Sequence, residues 1–254
     1  FLAKDNIVQV IEVNLRSSRT LPFISKVTGI DFAKLTVDAI FDKDIPQIMI
    51  PAMNFVAVKV SQFSFARLTG ADPILHVEMG STGEVACFGE NSREALFKSI
   101  LSSTSFNGER AALLSLGGER NKRKFLEAAR TIAKLGYRIY ATEGTSEFLN
   151  THGLKTLEVH KASERKRPNV ADLIYRKEVA MVVNLRDREK DVDTRRKKNI
   201  VTDGYLIRRA TADVQIPLFT DLNLARFFVR AIGEYRLEDL EIKPWDEYVR
   251  ERKV

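Results

Sequence analysis

At 254 residues, 44% hydrophobic and 30% charged, the chain is long enough to bury one large core or two ordinary ones, and apolar runs such as "VAMVV" (179–183) fall far short of the roughly 20 residues of a membrane span. The single cysteine, Cys87, excludes an intrachain disulfide and a cysteine-built zinc cluster; with no secretory signal visible, a soluble protein of the cytoplasm is expected. The formal net charge of +7 gathers in "ERNKRK" (119–124), "ERKRP" (164–168) and "TRRKKN" (194–199), which read as solvated loops or as attractors of phosphate-bearing ligands, while the lack of interleaved aromatics or an RNA-binding motif argues against nucleic acid.

From the amino end, "IVQVIEV" (7–13) reads as a strand, and "LPFISKVTGIDFAKLTVDAIF" (21–41) carries apolar residues at helical spacing after Pro22. "NFVAVKVSQF" (54–63) alternates like a strand, "EVACFG" (84–89) is another, and "SREALFKSILSS" (92–103) is amphipathic with helical period. After the polar "STSFNGER" (103–110), short apolar strands alternate with helical patterns. The strands are "AALLSL" (111–116), "RIYAT" (138–142), "KTLEV" (155–159), "VAMVVNL" (179–185) and "IPLFT" (216–220). This rhythm predicts a five-stranded parallel sheet covered on both faces, an α/β sandwich over 105–254, preceded by a different α+β segment over 1–104. The tail from 235 to 254 reads equally as a final helix or an ordered extension.

Ligands of such sheets bind outside the carboxyl ends of the strands. Lys122, Thr142, Gly144, Thr145, Lys161, Asn184, Thr220 and Asp221 all follow strand ends, so one rim is expected to carry them. Ammonium, hydroxyl and amide groups beside helix N-termini suit a phosphate or carboxylate. "ATEGTSEFLN" (141–150) admits two readings, Thr145 as a helix cap or as an anion contact. In "VIEVNLRSSRT" (10–20), Glu12 and Asn14 would share one face of a strand that Arg16 continues. Oxygen donors there suit magnesium and the arginine suits phosphate, although solvent-facing polar alternation gives the same pattern.

The stretches "VIEVNLRSSRTLPFISKVTGID" and "ADPILHVEMGSTGEVACFGE" resemble the end of the second ATP-grasp unit of carbamoyl-phosphate synthases. "RAALLSLG", "ATEGTSEFLN", "VVNL" and "DGYLIRRATADVQIPLFT" are similar to the methylglyoxal-synthase-like regulatory domain that ends the large subunit of that family. The resemblance spans essentially the whole chain. It implies a partial ATP-grasp segment followed by a methylglyoxal-synthase-like α/β sandwich. It further implies that the complete enzyme makes carbamoyl phosphate from ATP, bicarbonate and glutamine-derived ammonia for pyrimidine or arginine biosynthesis.

Residue by residue, the resemblance makes Glu12 and Asn14 ligands of magnesium or manganese at ATP, and Arg16 with Arg19 contacts to the carbamate or phosphate being joined. It makes Lys122, Thr142, Thr145, Lys161, Asn184 and Thr220 effector-binding residues, with Lys124 an alternative to Lys122, and Arg208 with Arg209 a pair that packs a helix against the sheet or another domain. The implied partners are the remainder of the synthetase chain, a glutamine amidotransferase small subunit, a small anionic effector with a nucleotide favoured, and a further copy in a homo-oligomer. The chain opens with Phe rather than Met and lacks the family's Gly-rich lid, so it is expected to be the C-terminal portion of a longer polypeptide, inactive alone. Two alternatives remain. One is a free-standing phosphate or nucleotide sensor, the other a methylglyoxal-synthase-type lyase. The lyase needs an Asp after a Gly-Gly turn, where "RPNVADLIYR" offers Asp172 inside a predicted helix. His76, His152 and His160 lack metal-ligand spacing.

Overall fold

A computed structural model describes residues 1–13, 16–50, 52–64, 70–74, 82–106, 109–164, 166–187 and 202–250. They form two compact units, a larger one of 55–242 and a smaller one of 1–54 with 243–254.

The larger unit is built on β5 (Ala111–Leu116), β6 (Arg138–Thr142), β7 (Leu157–Val159), β8 (Met181–Leu185) and β9 (Leu218–Phe219), parallel and in the order β7-β6-β5-β8-β9. This is the predicted five-stranded sheet. Helices cover it on both faces: α4 (Glu119–Lys134), α5 (Glu143–Thr151), α6 (Val170–Tyr175), α7 (Asp203–Asp213) and α8 (Leu222–Glu234). Strand alternation divides the core accordingly. Ala112, Leu114, Leu116, Met181, Val183 and Leu185 pack with Phe125, Ile132 and Phe228 on one face. Ala111, Leu113 and Val182 pack with Val170, Ile174 and Ile207 on the other. Both faces of β5 and β8 are buried, which is why their sequences run apolar without alternation.

An antiparallel pair, β3 (Val56–Gln62) and β4 (Gly83–Gly89), precedes this sheet and is followed by α3 (Ser92–Ser103). Asn91 caps α3 by accepting from the amides of Arg93 and Glu94. A side chain at Gly89 would put its Cβ 2.7 Å from the amide nitrogen of Ala95, so only glycine lets the strand meet the helix so closely. Phe97 of α3 then meets Phe228 of α8 edge-on at 5.9 Å, and Asn91 Nδ2 donates to Tyr235 Oη. Compact packing groups 55–104 with the sheet in the larger unit.

In the smaller unit, β1 (Leu2–Lys4) and β2 (Ile7–Gln9) form a hairpin whose turn residues Asp5 and Asn6 have φ of 50° and 60°, the mirror-image turn that two-residue hairpins favour. The helical stretch 21–41 is two helices, α1 (Thr20–Thr28) and α2 (Phe32–Ile40). Gly29 ends the first in a left-handed conformation, φ 69°, and Asp31 caps the second by accepting from the Lys34 amide. The undecided tail forms a 3-10 turn at Leu237–Asp239 and a short helix α9 (Trp245–Arg250), which brings Trp245 under the Lys26 ammonium at 5.9 Å. The strand expected over 7–13 stops at Gln9. Its register pairs Gln9 with Leu2, and among the described residues no strand stands opposite 10–13. Glu12 and Arg16 thus lie outside any strand, without the shared face that alternation implied, and Asn14 lies outside the described residues.

Candidate functional site

The chain lays β6 and β7 to one side of β5 and then crosses to β8 and β9 on the other, so the topological switch point lies between β5 and β8. Backbone closes that gap: the Gly117 amide donates to the Leu185 carbonyl at 2.8 Å, and a Cβ on Gly117 would lie 2.7 Å from the Asp187 nitrogen. Asn121, in the first turn of α4, donates from Nδ2 to the carbonyls of Gly117 and Arg186 and ties the two loops together. The Asp187 carboxylate lies against Gly118 at the start of α4, with Oδ1 3.1 Å from where a Cβ would stand. That helix end already has an anion of the protein's own beside it, a favourable arrangement with the helix dipole.

One strand over, β6 runs directly into α5, and the group there is open. Thr142 holds the N-cap position, and its side chain makes no capping bond. Thr145 is not the cap. With no loop between strand and helix it falls inside α5, 2% exposed, where its hydroxyl accepts from the Leu116 amide of β5 at 2.9 Å and from Thr142 Oγ1 at 3.4 Å. Lys122 reaches over from α4: a Cβ on Gly144 would lie 3.6 Å from its Nζ, which also stands 5.9 Å from the Phe148 ring. Lys124 is exposed on the same helix. An ammonium, a hydroxyl and uncapped first-turn amides can together receive an anion.

Asn184, the penultimate residue of β8, lies on the face of α7 and is 3% exposed. Its Oδ1 accepts from Arg208 Nη1 at 2.9 Å, and the Arg208 guanidinium grips Asp72 through two further bonds, Nε to Oδ1 at 2.7 Å and Nη2 to Oδ2 at 2.6 Å. Arg209 donates to the Ala71 carbonyl and Tyr205 Oη to that of Gly70. The Arg208–Arg209 pair thus holds the segment 70–72 against α7.

The outer positions stand apart. Lys161 follows β7 at one edge and Thr220 follows β9 at the other. Strands about 4.8 Å apart put those ends about 19 Å from each other, so no single phosphate reaches both. The loop of Lys161 is fixed by the Ser163 amide donating to Asp203 of α7 at 2.9 Å. Asp221, expected on the rim, caps α8 by accepting from Asn223 and Leu224 amides. Asp172 completes a capping box with Asn169 and pairs with Arg167, an ordinary structural employment that leaves a lyase base without support. His152 bonds the Phe148 carbonyl and His160 faces Glu164, while His76 lies outside the described residues. A separate cleft of about 400 Å³ sits toward the amino ends of the strands among Phe97, Phe106, Arg110, Tyr137 and Tyr235, where burial raises the Tyr137 phenol above its usual range.

In the smaller unit Glu12, Arg16 and Arg19 are placed by the hairpin and the start of α1; Glu12 and Arg16 are exposed. Among the described residues no three His, Cys, Asp or Glu side chains gather as a metal cage, nor is any helix long and apolar enough to cross a membrane. Asn121, Asp187 and Asp72 were missed by sequence reasoning. The first two lie beside motifs that were read, but nothing local ties Asp72 to a helix 136 residues away.

The MGS-like domain family matches residues 124–220, within the larger unit. The multifunctional protein CAD of Squalus acanthias is 39% identical over 91% of this chain and 11% of its own length. The mitochondrial carbamoyl-phosphate synthase [ammonia] of Homo sapiens is 36% identical over 94% of this chain and 16% of its own. The carbamoyl phosphate synthase large chain of Thermoplasma acidophilum is 36% identical over 94% and 21%. The chain therefore spans about a tenth to a fifth of the relatives it matches. A crystal structure of ForH covers 56% of this chain at 16% identity and a TM-score of 0.32, too low to bear on the fold.

Proposed function

We propose a regulatory and site-completing role for this chain, which belongs to the carbamoyl-phosphate synthase family as a segment of it and carries an MGS-like domain. The strand-end rim of the larger unit binds a small anionic effector, with a nucleotide favoured. The smaller unit contributes to the site at which a longer synthetase, with its glutamine amidotransferase subunit, phosphorylates carbamate with ATP. The observation that carries the rim reading is the Lys122 ammonium over the start of α5, beside a Thr142 hydroxyl that caps nothing. An anion there meets a full charge and a helix dipole of favourable sign.

For the synthetase part, magnesium characteristically takes one or two protein donors and fills the rest from substrate phosphates and water. Glu12 and Asn14 are donors of that kind and would hold magnesium or manganese at ATP. Bound there, the ion neutralises charge on the phosphates. Arg16 and Arg19 would add fixed positive charge where the transferred phosphoryl group develops negative charge. A second reading, a free-standing phosphate or nucleotide sensor, is favoured by the larger unit closing both its cores from its own helices. An upstream ATP-grasp unit in the complete gene would exclude it.

The test is a calorimetric titration of the chain with UMP, IMP, UTP and N-acetylglutamate, repeated with Thr142→Ala and Lys122→Ala. One ligand is expected to saturate, and each variant to weaken it about tenfold, the loss of one charge-assisted hydrogen bond. Saturation unchanged in both variants, or by none of the four from a folded chain, would overturn the rim reading.

A further inference from the structure

The rim's Asn184 is oriented by a residue that a rim ligand need not touch. Arg208 presents only donors, since a guanidinium has no acceptor atom. The side-chain atom facing it must therefore be Oδ1 of Asn184, whichever way an amide is drawn. That choice turns Nδ2, with its two donors, to the other side. Among the described residues Nδ2 has no hydrogen-bond partner, and it is not sealed in, for the one buried and unpartnered side-chain N or O atom among them is Gln62 Oε1. Arg208 cannot turn away easily. Its side chain is 4% exposed, Asp72 holds it through two parallel bonds, and a Cβ on Gly204 would lie 2.9 Å from its Nη1.

We infer that Arg208, clamped by Asp72, is a positioning residue that turns the Asn184 amide to offer N–H donors to an anion on the rim, so that anion binding and docking of the segment 70–72 stabilise each other. This rests on the anion-binding reading of the rim given above. An anion accepting from Nδ2 fixes the amide in the one orientation that serves Arg208, and the Asn184–Arg208–Asp72 chain passes that preference to 70–72. Tyr205 Oη on Gly70 and Arg209 on Ala71 make the segment respond as a piece. Linkage requires the converse, that loosening 70–72 weakens the anion by the same factor.

Inorganic phosphate is the probe, titrated by calorimetry into the 254-residue chain, with hydrogen exchange of 70–72 read with and without it. Phosphate is expected to raise protection of 70–72, and Asp72→Asn to weaken phosphate about fivefold or more. Because Asp72→Asn leaves a buried guanidinium short of a partner and risks the fold, Tyr205→Phe serves as the milder variant. It loosens the same segment without touching a charge, and a smaller weakening in the same direction is expected. Asn184→Asp separates positioning from mere support, since a carboxylate keeps Arg208 in place but has no donor. There phosphate affinity falls about tenfold or more while protection of 70–72 holds or rises. Phosphate that binds the wild type but leaves 70–72 unprotected, or binds Tyr205→Phe and Asp72→Asn as tightly, overturns the coupling alone. A folded wild type that binds no phosphate overturns the rim reading and this inference with it.

Discussion

In the larger unit Phe97, Phe125, Phe219 and Phe228 are buried, and Phe219 stacks on Phe228 at 4.6 Å. In the smaller unit Phe41, Ile40 and Met49 are 70%, 71% and 84% exposed, and its buried residues among those described are Thr28, Asp38 and Tyr248. Both regions carry amphipathic helices, so the difference lies in what their apolar faces meet. Helices on both sides of a sheet supply each other's cover in the first case. A hairpin of two three-residue strands and three short helices do not do so in the second, where large apolar side chains stay exposed. The rim residues are accordingly positioned by a core of their own, whereas Glu12 and Arg16 are exposed and lie outside any strand or helix.

Truncation of a large apolar residue in each unit puts that contrast to its strongest test. Phe228→Ala removes a buried ring from the junction of α3, α8 and β9 and is expected to cost about 3–5 kcal/mol, read as a lowered urea midpoint by circular dichroism. Ile40→Ala, on an exposed face, is expected to stay within about 0.5 kcal/mol. Equal losses in the two variants would mean that the smaller unit has an interior after all.

The larger unit was legible because burial on two faces leaves a strong trace: continuous apolar strands, each followed by a helix of period 3.6. Where the reading fell short, the missing information was spatial. Gly29 followed by Asp31 already spelled a helix stop and a new cap, yet the apolar period running through 21–41 masked it. The end of β2 at Gln9 depends on which strand stands opposite, and no local pattern records that. Thr145 was identified as a rim residue without its direction, which follows from α5 starting directly at Glu143 and turning position 145 toward Leu116. The pairing of Asp72 with Arg208 joins distant parts of the chain and has no sequence signature at all.

Next in size is Thr145→Val, which sharpens the comparison by separating scaffold from ligand contact within the rim itself. Valine keeps the shape but leaves the Leu116 amide without its acceptor, a buried N–H whose desolvation costs about 1–3 kcal/mol. A fall of that size in the denaturation midpoint is expected, together with weaker effector binding. Thr142→Ala, whose hydroxyl reaches only Thr145 at 3.4 Å, is expected to shift stability by less than about 0.5 kcal/mol while reducing binding. If instead Thr142→Ala unfolds the chain and Thr145→Val does not, the roles assigned to the two hydroxyls are reversed.

The smallest expected effect belongs to Glu12→Gln. Glu12 is exposed, outside any strand, and distant in sequence from every rim residue, so neither the denaturation midpoint nor rim binding should move beyond about 0.5 kcal/mol. That silence is informative only beside a measurement in the complete synthetase. There the same change removes one of the two donors proposed for the metal at ATP, and carbamoyl-phosphate formation should fall while the fold and the rim remain intact. Silence in both settings would take Glu12 out of the metal site and leave it as solvent-facing polarity on an unpaired segment. A destabilised isolated chain would be the more consequential result, because it would show that 10–13 is held by contacts in this chain and that the smaller unit is less dependent on outside cover than its exposed apolar side chains indicate.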